Sequence, residues 1–238
     1  MRRVLVTRPE PGASRTAQRL EDLGFKPILL PLTETVALPV DPDRVAANTA
    51  AVAVTSANAV RHAPKEISAA LAGLPCHAVG RRTAQAARAA GFLSVSEGPG
   101  DAEALADALA GDCAGQTIVY LCGRVRYSGF EQRLQSAGVQ VRAVETYDTV
   151  ALDYSDEAVL ARLSGLPVEA VLLFSAKAAT ALQALAGRPA LRELFKKTCF
   201  FALSGRIAAA LETVASEQLR VAPEPSEEAL LELLRTSP

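Results

Sequence analysis

Short apolar runs recur along this chain and alternate with segments in helical spacing. The runs at 4–7, 27–32, 51–55, 76–79, 93–97, 117–122, 139–147, 170–174, 198–203 and 219–222 predict ten strands. Many are apolar at every position instead of alternating. That is the pattern of strands covered on both faces, as in a parallel sheet between helix layers. The stretches between them have the length a crossover helix needs. Ala13, Ala17, Leu20 and Leu23 fall at helical spacing, and Gly24 follows at the left-handed stop position. The segments 84–90 and 131–137 end in the same way at Gly91 and Gly138. Each glycine leads directly into a strand, which makes the repeating unit a βαβ crossover. Ten strands are many for one sheet, so two sheets of about five are expected.

Two segments break this rhythm. Residues 32–43 are extended, with Pro39 and Pro42 opposing helix, and 141–152 read as a strand longer than its neighbours. Both hold the string T-V-A-L, Thr35-Val36-Ala37-Leu38 and Thr149-Val150-Ala151-Leu152. Two such stretches are expected to pair as a connector, with the chain leaving one domain near 36 and re-entering it near 150. A weak internal repeat points the same way. Val52-Ala53-Val54-Thr55-Ser56-Ala57-Asn58-Ala59 resembles Leu172-Leu173-Phe174-Ser175-Ala176-Lys177-Ala178, and Ala78-Val79-Gly80-Arg81 is echoed by Ala202-Leu203-Ser204-Gly205-Arg206. The expected fold is α/β, with two similar domains, each a parallel, flavodoxin-like sheet flanked by helices. The first domain is discontinuous, 1–36 plus 150–238, and the second is 37–149.

Composition narrows the function. The 238 residues carry 25 Lys and Arg against 26 Asp and Glu, a net charge of −1, so no nucleic-acid partner is expected. Hydrophobic residues reach 50% with 5% aromatic, no Trp and 46 alanines, which predicts an ordered core of Ala, Val and Leu. No apolar run approaches the roughly 20 residues of a membrane helix. The opening Met1-Arg2-Arg3-Val4-Leu5-Val6-Thr7 is too short in apolar residues for a signal peptide, so a cytoplasmic protein is expected. Cys76, Cys113, Cys122 and Cys199 form no C-x-x-C pair and the histidines are only His62 and His77, so no metal site is expected. Cys76, Cys122 and Cys199 read as small core residues. There is no G-x-S-x-G, no G-x-G-x-x-G and no G-x-x-x-x-G-K-[ST], which argues against a serine hydrolase and against nucleotide binding.

In parallel α/β sheets ligands bind beyond the carboxyl ends of the strands. Here those ends carry Thr7-Arg8, Ser56-Ala57-Asn58, Gly80-Arg81, Gly123-Arg124, Ser175-Ala176-Lys177 and Ser204-Gly205-Arg206. Small residues let a ligand approach the backbone, and the free N–H groups of the next helix favour anions. Ser, Thr and Asn at such places are also ordinary helix caps. Arg124 and Arg126, in the loop G-R-V-R-Y-S-G, are placed to meet carboxylates or to form a solvated turn. The run Glu224-Pro225-Ser226-Glu227-Glu228 reads as a helix start with Ser226 as the cap.

At these residues the chain resembles the uroporphyrinogen-III synthase family, along essentially its whole length. The resemblance rests on Val6-Thr7-Arg8-Pro9, Thr55-Ser56-Ala57-Asn58-Ala59-Val60, Val79-Gly80-Arg81-Arg82-Thr83-Ala84, Tyr147 and Phe174-Ser175-Ala176, in that order. It implies two α/β domains on a two-stranded connector, and hydroxymethylbilane, a linear tetrapyrrole with eight carboxylate arms, as substrate. It implies a cofactor-independent cyclising lyase that removes water, inverts the last pyrrole ring through a spiro intermediate and closes uroporphyrinogen III. Tyr147 matches the tyrosine proposed to help the hydroxyl leave, a phenol that holds its proton at neutral pH. Thr83 matches a polar position of the family. Where many members have Gly-x-x-Thr in the other domain, this chain has Ser204-Gly205-Arg206-Ile207, and no role passes to Ile207. Asn58 stands where some members have a basic residue. The candidate substrate contacts are Thr7, Arg8, Ser56, Ala57, Asn58, Gly80, Thr83, Gly123, Arg124, Ser175, Ala176, Lys177 and Ser204. Nothing in the sequence demands an oligomer, so a monomer is expected. The alternative reading is a two-domain binding module for a small anionic metabolite, without turnover; a receiver-type regulator would want acidic strand ends.

Overall fold

The computed structural model describes residues 1–42, 45 and 48–237. The chain separates into two compact units, Met1–Glu34 with Val150–Pro238, and Thr35–Thr149. In chain order the first passage lays down β1 (Arg3–Val6), α1 (Gly12–Asp22), β2 (Lys26–Leu29) and β3 (Thr33–Ala37). The middle passage forms β4 (Ala51–Val54), α2 (Ala57–Arg61), α3 (Lys65–Leu71), β5 (Pro75–Ala78), α4 (Arg81–Ala89), β6 (Ser94–Glu97), α5 (Ala102–Asp112), β7 (Thr117–Gly123), α6 (Gly129–Ser136) and β8 (Gln140–Ala151). The last passage adds α7 (Asp156–Leu163), β9 (Ala170–Leu173), α8 (Ala176–Ala186), α9 (Arg192–Phe195), β10 (Cys199–Ala202), α10 (Gly205–Ala208), β11 (Leu219–Val221) and α11 (Glu227–Thr236).

The described strands form a five-stranded sheet, β11-β10-β9-β1-β2, and a six-stranded sheet, β3-β8-β7-β4-β5-β6. The four pairings of the first sheet are parallel, as are the four that join β4 to β8 in the second. Numbered within its own unit, the first sheet has the order 2-1-3-4-5, the flavodoxin-like doubly wound order. The second, without β3, reads 3-2-1-4-5. The repeat noted in the sequence therefore aligns β4 with β9 and β5 with β10. Leu38 N donates to Thr146 O and Leu152 N to Leu32 O. The numbers rise in one strand as they fall in the other, so β3 and β8 run antiparallel as a two-stranded connector. Asp43, the end of the predicted extended segment, lies outside the described residues.

Strands apolar at every position are explained by helices on both faces. Leu5, Val171, Leu173 and Phe200 pack with α7 to α10 on one side of the first sheet. Val4, Val6, Leu172 and Phe201 pack with Leu20 of α1 and Leu230, Leu231 and Leu234 of α11 on the other. In the second sheet Val52, Val54, Val119 and Leu121 face α2 to α4. Ala53, Ile118 and Tyr120 face Leu105 and Leu109 of α5 and Phe130 and Leu134 of α6. The stop glycines adopt the left-handed backbone, Gly24 at φ 82°, Gly91 at 98° and Gly138 at 80°.

The structure corrects some boundaries. Leu23, assigned by spacing to the buried face of the first helix, is 43% exposed because α1 ends at Asp22 and the chain turns away. Leu93, expected to open a strand, is exposed, and β6 begins one residue later. The strand within the run at 27–32 ends at Leu29, although the Leu30 and Leu32 N–H groups still donate to Val6 O and Thr7 O and both side chains stay buried.

Candidate functional site

In each sheet the strand order reverses once, between β1 and β9 in the first unit and between β4 and β7 in the second. The crevice outside the carboxyl ends at such a reversal is where open α/β sheets hold ligands.

In the second unit this edge gathers Ser56 after β4, Gly123 at the end of β7 with Arg124 following it, and Tyr147 on β8. The Tyr147 hydroxyl donates to Ser56 Oγ at 3.2 Å. Ser56 also caps α2, accepting from Asn58 N at 3.3 Å. The Tyr147 ring lies so close to Gly123 that a Cβ there would sit 2.6 Å from Cζ. His62 stands beside the same ring, with centroids 6.1 Å apart. Burial, reinforced by the Arg61 charge, holds the His62 imidazole below its ordinary pKa, so it is neutral at pH 7. Below this group Thr55 Oγ1 lies 2.6 Å from the Tyr120 hydroxyl. Burial outweighs the lowering effect of that hydrogen bond and pushes the Tyr120 phenol up to about 12, so it keeps its proton.

Other candidates of this unit are placed differently. Ala57 and Thr83 are buried, Ala57 opening α2 and Thr83 in the first turn of α4. Gly80 opens α4, and a Cβ on it would sit 3.2 Å from Gly100 Cα. Its smallness therefore serves a backbone crossing between the ends of β5 and β6. Arg124 lies 3.4 Å from both Glu145 and Asp148, and its backbone N–H donates to Tyr147 O. Arg126 pairs with Glu131 at 2.8 Å and Glu145 at 3.0 Å. Both arginines face carboxylates of their own unit.

In the first unit Thr7 is fully buried and donates to Leu172 O at 2.8 Å, tying β1 to β9. Arg8 lies over the Phe174 ring at 4.3 Å and pairs with Glu227 at 3.1 Å, which also accepts from Thr16 Oγ1 at 2.6 Å. The two side chains at this strand end thus turn inward. Replacing Glu227 by Gln leaves the half-buried Arg8 guanidinium without its counter-charge. We expect a loss of about 1–2 kcal/mol in chemical denaturation, shrinking as salt is raised. Ser175 caps α8 by accepting from Ala178 N at 3.2 Å, and Ala176 and Lys177 follow in its first turn. Ser204 stands at the start of α10 and makes no cap hydrogen bond with its side chain. Ile207 is buried in the core.

Sequence reasoning did not single out Thr55, Tyr120, Thr146 or the contact of His62 with Tyr147. A tyrosine in an otherwise apolar run was a usable signal, because a buried hydroxyl needs a partner. Cys76 and Cys122 are buried and their thiols are pushed up to about 12 by that burial, in keeping with small core residues. Among the described residues no group of three or more His, Cys, Asp or Glu is placed to hold a metal ion. No described helix is long and apolar enough to cross a membrane.

Two doubly wound units on one interleaved chain, each with hydroxyl residues at the reversal of its sheet, the first in the flavodoxin-like order and the second in the order 3-2-1-4-5, define a two-domain α/β protein. The sequence model of uroporphyrinogen-III synthase HemD matches residues 14–232, nearly the whole chain. The chain belongs to the uroporphyrinogen-III synthase family. No curated protein matches its sequence. Among solved structures it is similar to uroporphyrinogen-III synthetase from Helicobacter pylori, with a TM-score of 0.65, 18% identity and 98% of each chain covered. It is also similar to a mutant uroporphyrinogen III synthase from Thermus thermophilus, with a TM-score of 0.56, 19% identity and 99% of this chain and 96% of that one covered. These likenesses carry the fold, and the family carries the activity. The enzyme is a cofactor-independent cyclising lyase that converts hydroxymethylbilane into uroporphyrinogen III, a step of tetrapyrrole biosynthesis.

Proposed function

We propose that the carboxyl edge of the second sheet carries the chemistry, with Tyr147 donating a hydrogen bond to the hydroxyl that leaves hydroxymethylbilane. The observation that carries this reading is the Tyr147 hydroxyl at 3.2 Å from Ser56 Oγ, at the reversal between β4 and β7. In the resting protein the phenol rests on Ser56, and with substrate bound it turns to the departing oxygen. That oxygen leaves as water, taking the phenolic proton; the electron-rich pyrrole supports the azafulvene left behind, and the proton its N–H gives up restores the phenol. The remaining task is to hold the chain so that the substituted carbon of the last ring attacks, instead of the free one. This is an orienting task. Within the second unit, backbone N–H groups at the start of α4, with the Ser56 and Thr83 positions, supply neutral donors for substrate carboxylates. A net charge of −1 is compatible with that design. We further read the protein as a cytoplasmic monomer without a nucleic-acid partner. The role of the family in tetrapyrrole biosynthesis supports the first of these and the charge balance the last.

The test is the isomer made. Purified protein given freshly prepared hydroxymethylbilane is expected to yield the type III isomer by chromatography of the oxidised porphyrins. Formation of type I alone, the product of spontaneous closure, overturns the reading. Tight binding of a small anionic metabolite without turnover would instead favour the binding module, which has no support from the comparisons.

A further inference from the structure

The pairing of β7 with β8 changes register at the candidate site. Leu121 faces Val144 and Cys122 faces Glu145, but Gly123 faces Tyr147. The longer strand carries one extra residue, Thr146, opposite the step from Cys122 to Gly123. Such a bulge breaks the alternation of side chains and re-aims the residue that follows it. Here it brings the Tyr147 ring onto Gly123. A Cβ at Gly123 would meet Tyr147 Cζ at 2.6 Å, the hydroxyl oxygen at 2.9 Å and Cε1 at 3.0 Å. All three nearest atoms belong to that ring, so only glycine leaves the ring where it is. The extra residue is itself anchored. Thr146 is fully buried, and its hydroxyl donates to Ala59 O of α2 at 2.6 Å and lies 3.4 Å from Cys122 O. The strand that carries Tyr147 is thus tied to the helix that Ser56 caps. The Arg124 N–H closes the far side by donating to Tyr147 O at 2.9 Å.

We propose that Gly123 and Thr146 are positioning residues for Tyr147: the bulge aims the ring, Gly123 leaves the space for it, and the Thr146 hydroxyl fixes the bulge to α2. Neither residue touches the reacting atoms in this scheme. The inference rests on the proposed role of Tyr147 and assigns two residues that this role alone does not require. It also gives Gly123 a different part from that of a small residue admitting the substrate.

Gly123→Ala displaces the phenol from Ser56 without altering the phenol itself. We expect kcat to fall about tenfold with KM within about twofold, measured per folded molecule. The double variant Gly123→Ala with Tyr147→Phe is expected to be no slower than Tyr147→Phe alone, because a displaced phenol and an absent one are the same loss. Thr146→Ser keeps the anchoring hydroxyl and is expected to retain kcat, whereas Thr146→Val, of equal size, lowers it several-fold. If Gly123→Ala does not fold, this serine and valine pair decides the matter. A slow Tyr147→Phe beside a Gly123→Ala of wild-type kcat overturns the inference and leaves the reading of Tyr147 standing. The same holds if the two substitutions multiply in the double variant, or if Thr146→Ser and Thr146→Val behave alike. An unchanged Tyr147→Phe removes the reading of Tyr147, and the inference with it.

Discussion

Tyr147→Phe is expected to lower kcat by about 10–100-fold, with KM within about twofold and the fold intact. A positioned proton donor contributes roughly 10²–10⁴-fold in general. The figure here sits at or below the lower end because the pyrrole already helps to expel the hydroxyl. In free-energy terms it is about 1.4–2.7 kcal/mol of transition-state stabilisation. The substitution removes one oxygen, whose protein partner is Ser56 Oγ at 3.2 Å. Ser56 keeps the Asn58 N–H as a donor, so no buried group is orphaned and stability should hold within about 1 kcal/mol. Slower turnover also lets spontaneous closure compete, so the type I fraction should rise as enzyme concentration is lowered. Steady-state kinetics, the isomer ratio and a denaturation curve separate the possibilities. An unchanged kcat would make Tyr147 an aromatic packing against Gly123 and His62 and nothing more.

How the site could be read from the sequence depends on what fixes each residue. The carboxyl ends of the strands are local features. Ser56, Ser175 and Gly123 were found there because a short apolar run followed by a small or hydroxyl residue is visible in one dimension. Tyr147 was found by resemblance, since nothing in its own neighbourhood distinguishes it from the rest of a long strand. Its contacts depend on register. A bulge at Cys122 and Gly123 is a property of two strands together, and the spacing within either one does not reveal it. The same holds for Arg124 and Arg126. Their loop predicted arginines that meet carboxylates or a solvated turn; the carboxylates they meet are the protein's own, Glu145 and Asp148 from the neighbouring strand and Glu131 from α6. Thr7 and Arg8 illustrate the reverse case. Their position at a strand end is as expected, yet the side chains are taken up by Leu172 O, Phe174 and Glu227, the last of these 219 residues away along the chain.

The fold was more legible, for a physical reason. A strand buried on both faces must be apolar throughout, and a helix ending in a left-handed turn favours glycine. Both demands act on single residues, so the α/β class and the two sheets were open to a reader of the sequence. Strand ends were less so. Leu30 and Leu32 are as buried as paired residues and their N–H groups still donate to Val6 O and Thr7 O, although the strand itself ends at Leu29. Apolarity reports burial and is silent on where a strand ends.

Phe130→Ala is expected to have the largest effect on stability, about 3–5 kcal/mol, because it opens a cavity at a fully buried aromatic. Phe130 lies in the first turn of α6, and its ring is 4.6 Å from that of Tyr120 at a tilt of 45°. Such a pair adds roughly 0.5–1.5 kcal/mol to the area it buries. The surrounding core, with Leu105, Leu109 and Leu134, is held by helices on a closed sheet face and has little freedom to collapse into the gap. The consequence reaches the candidate site by a short route. Tyr120 loses the ring that fixes its own, its hydroxyl loosens from Thr55 at 2.6 Å, and Thr55 is the residue before Ser56. Phe130→Leu fills most of the volume and is expected to cost under about 1.5 kcal/mol. Tyr120→Phe keeps the ring pair and releases only the hydrogen bond, for about 1 kcal/mol. Urea titrations of the three variants give the order Phe130→Ala, then the two milder changes. A loss below about 1 kcal/mol for Phe130→Ala would mean that the α6 face of the second sheet is not packed as described.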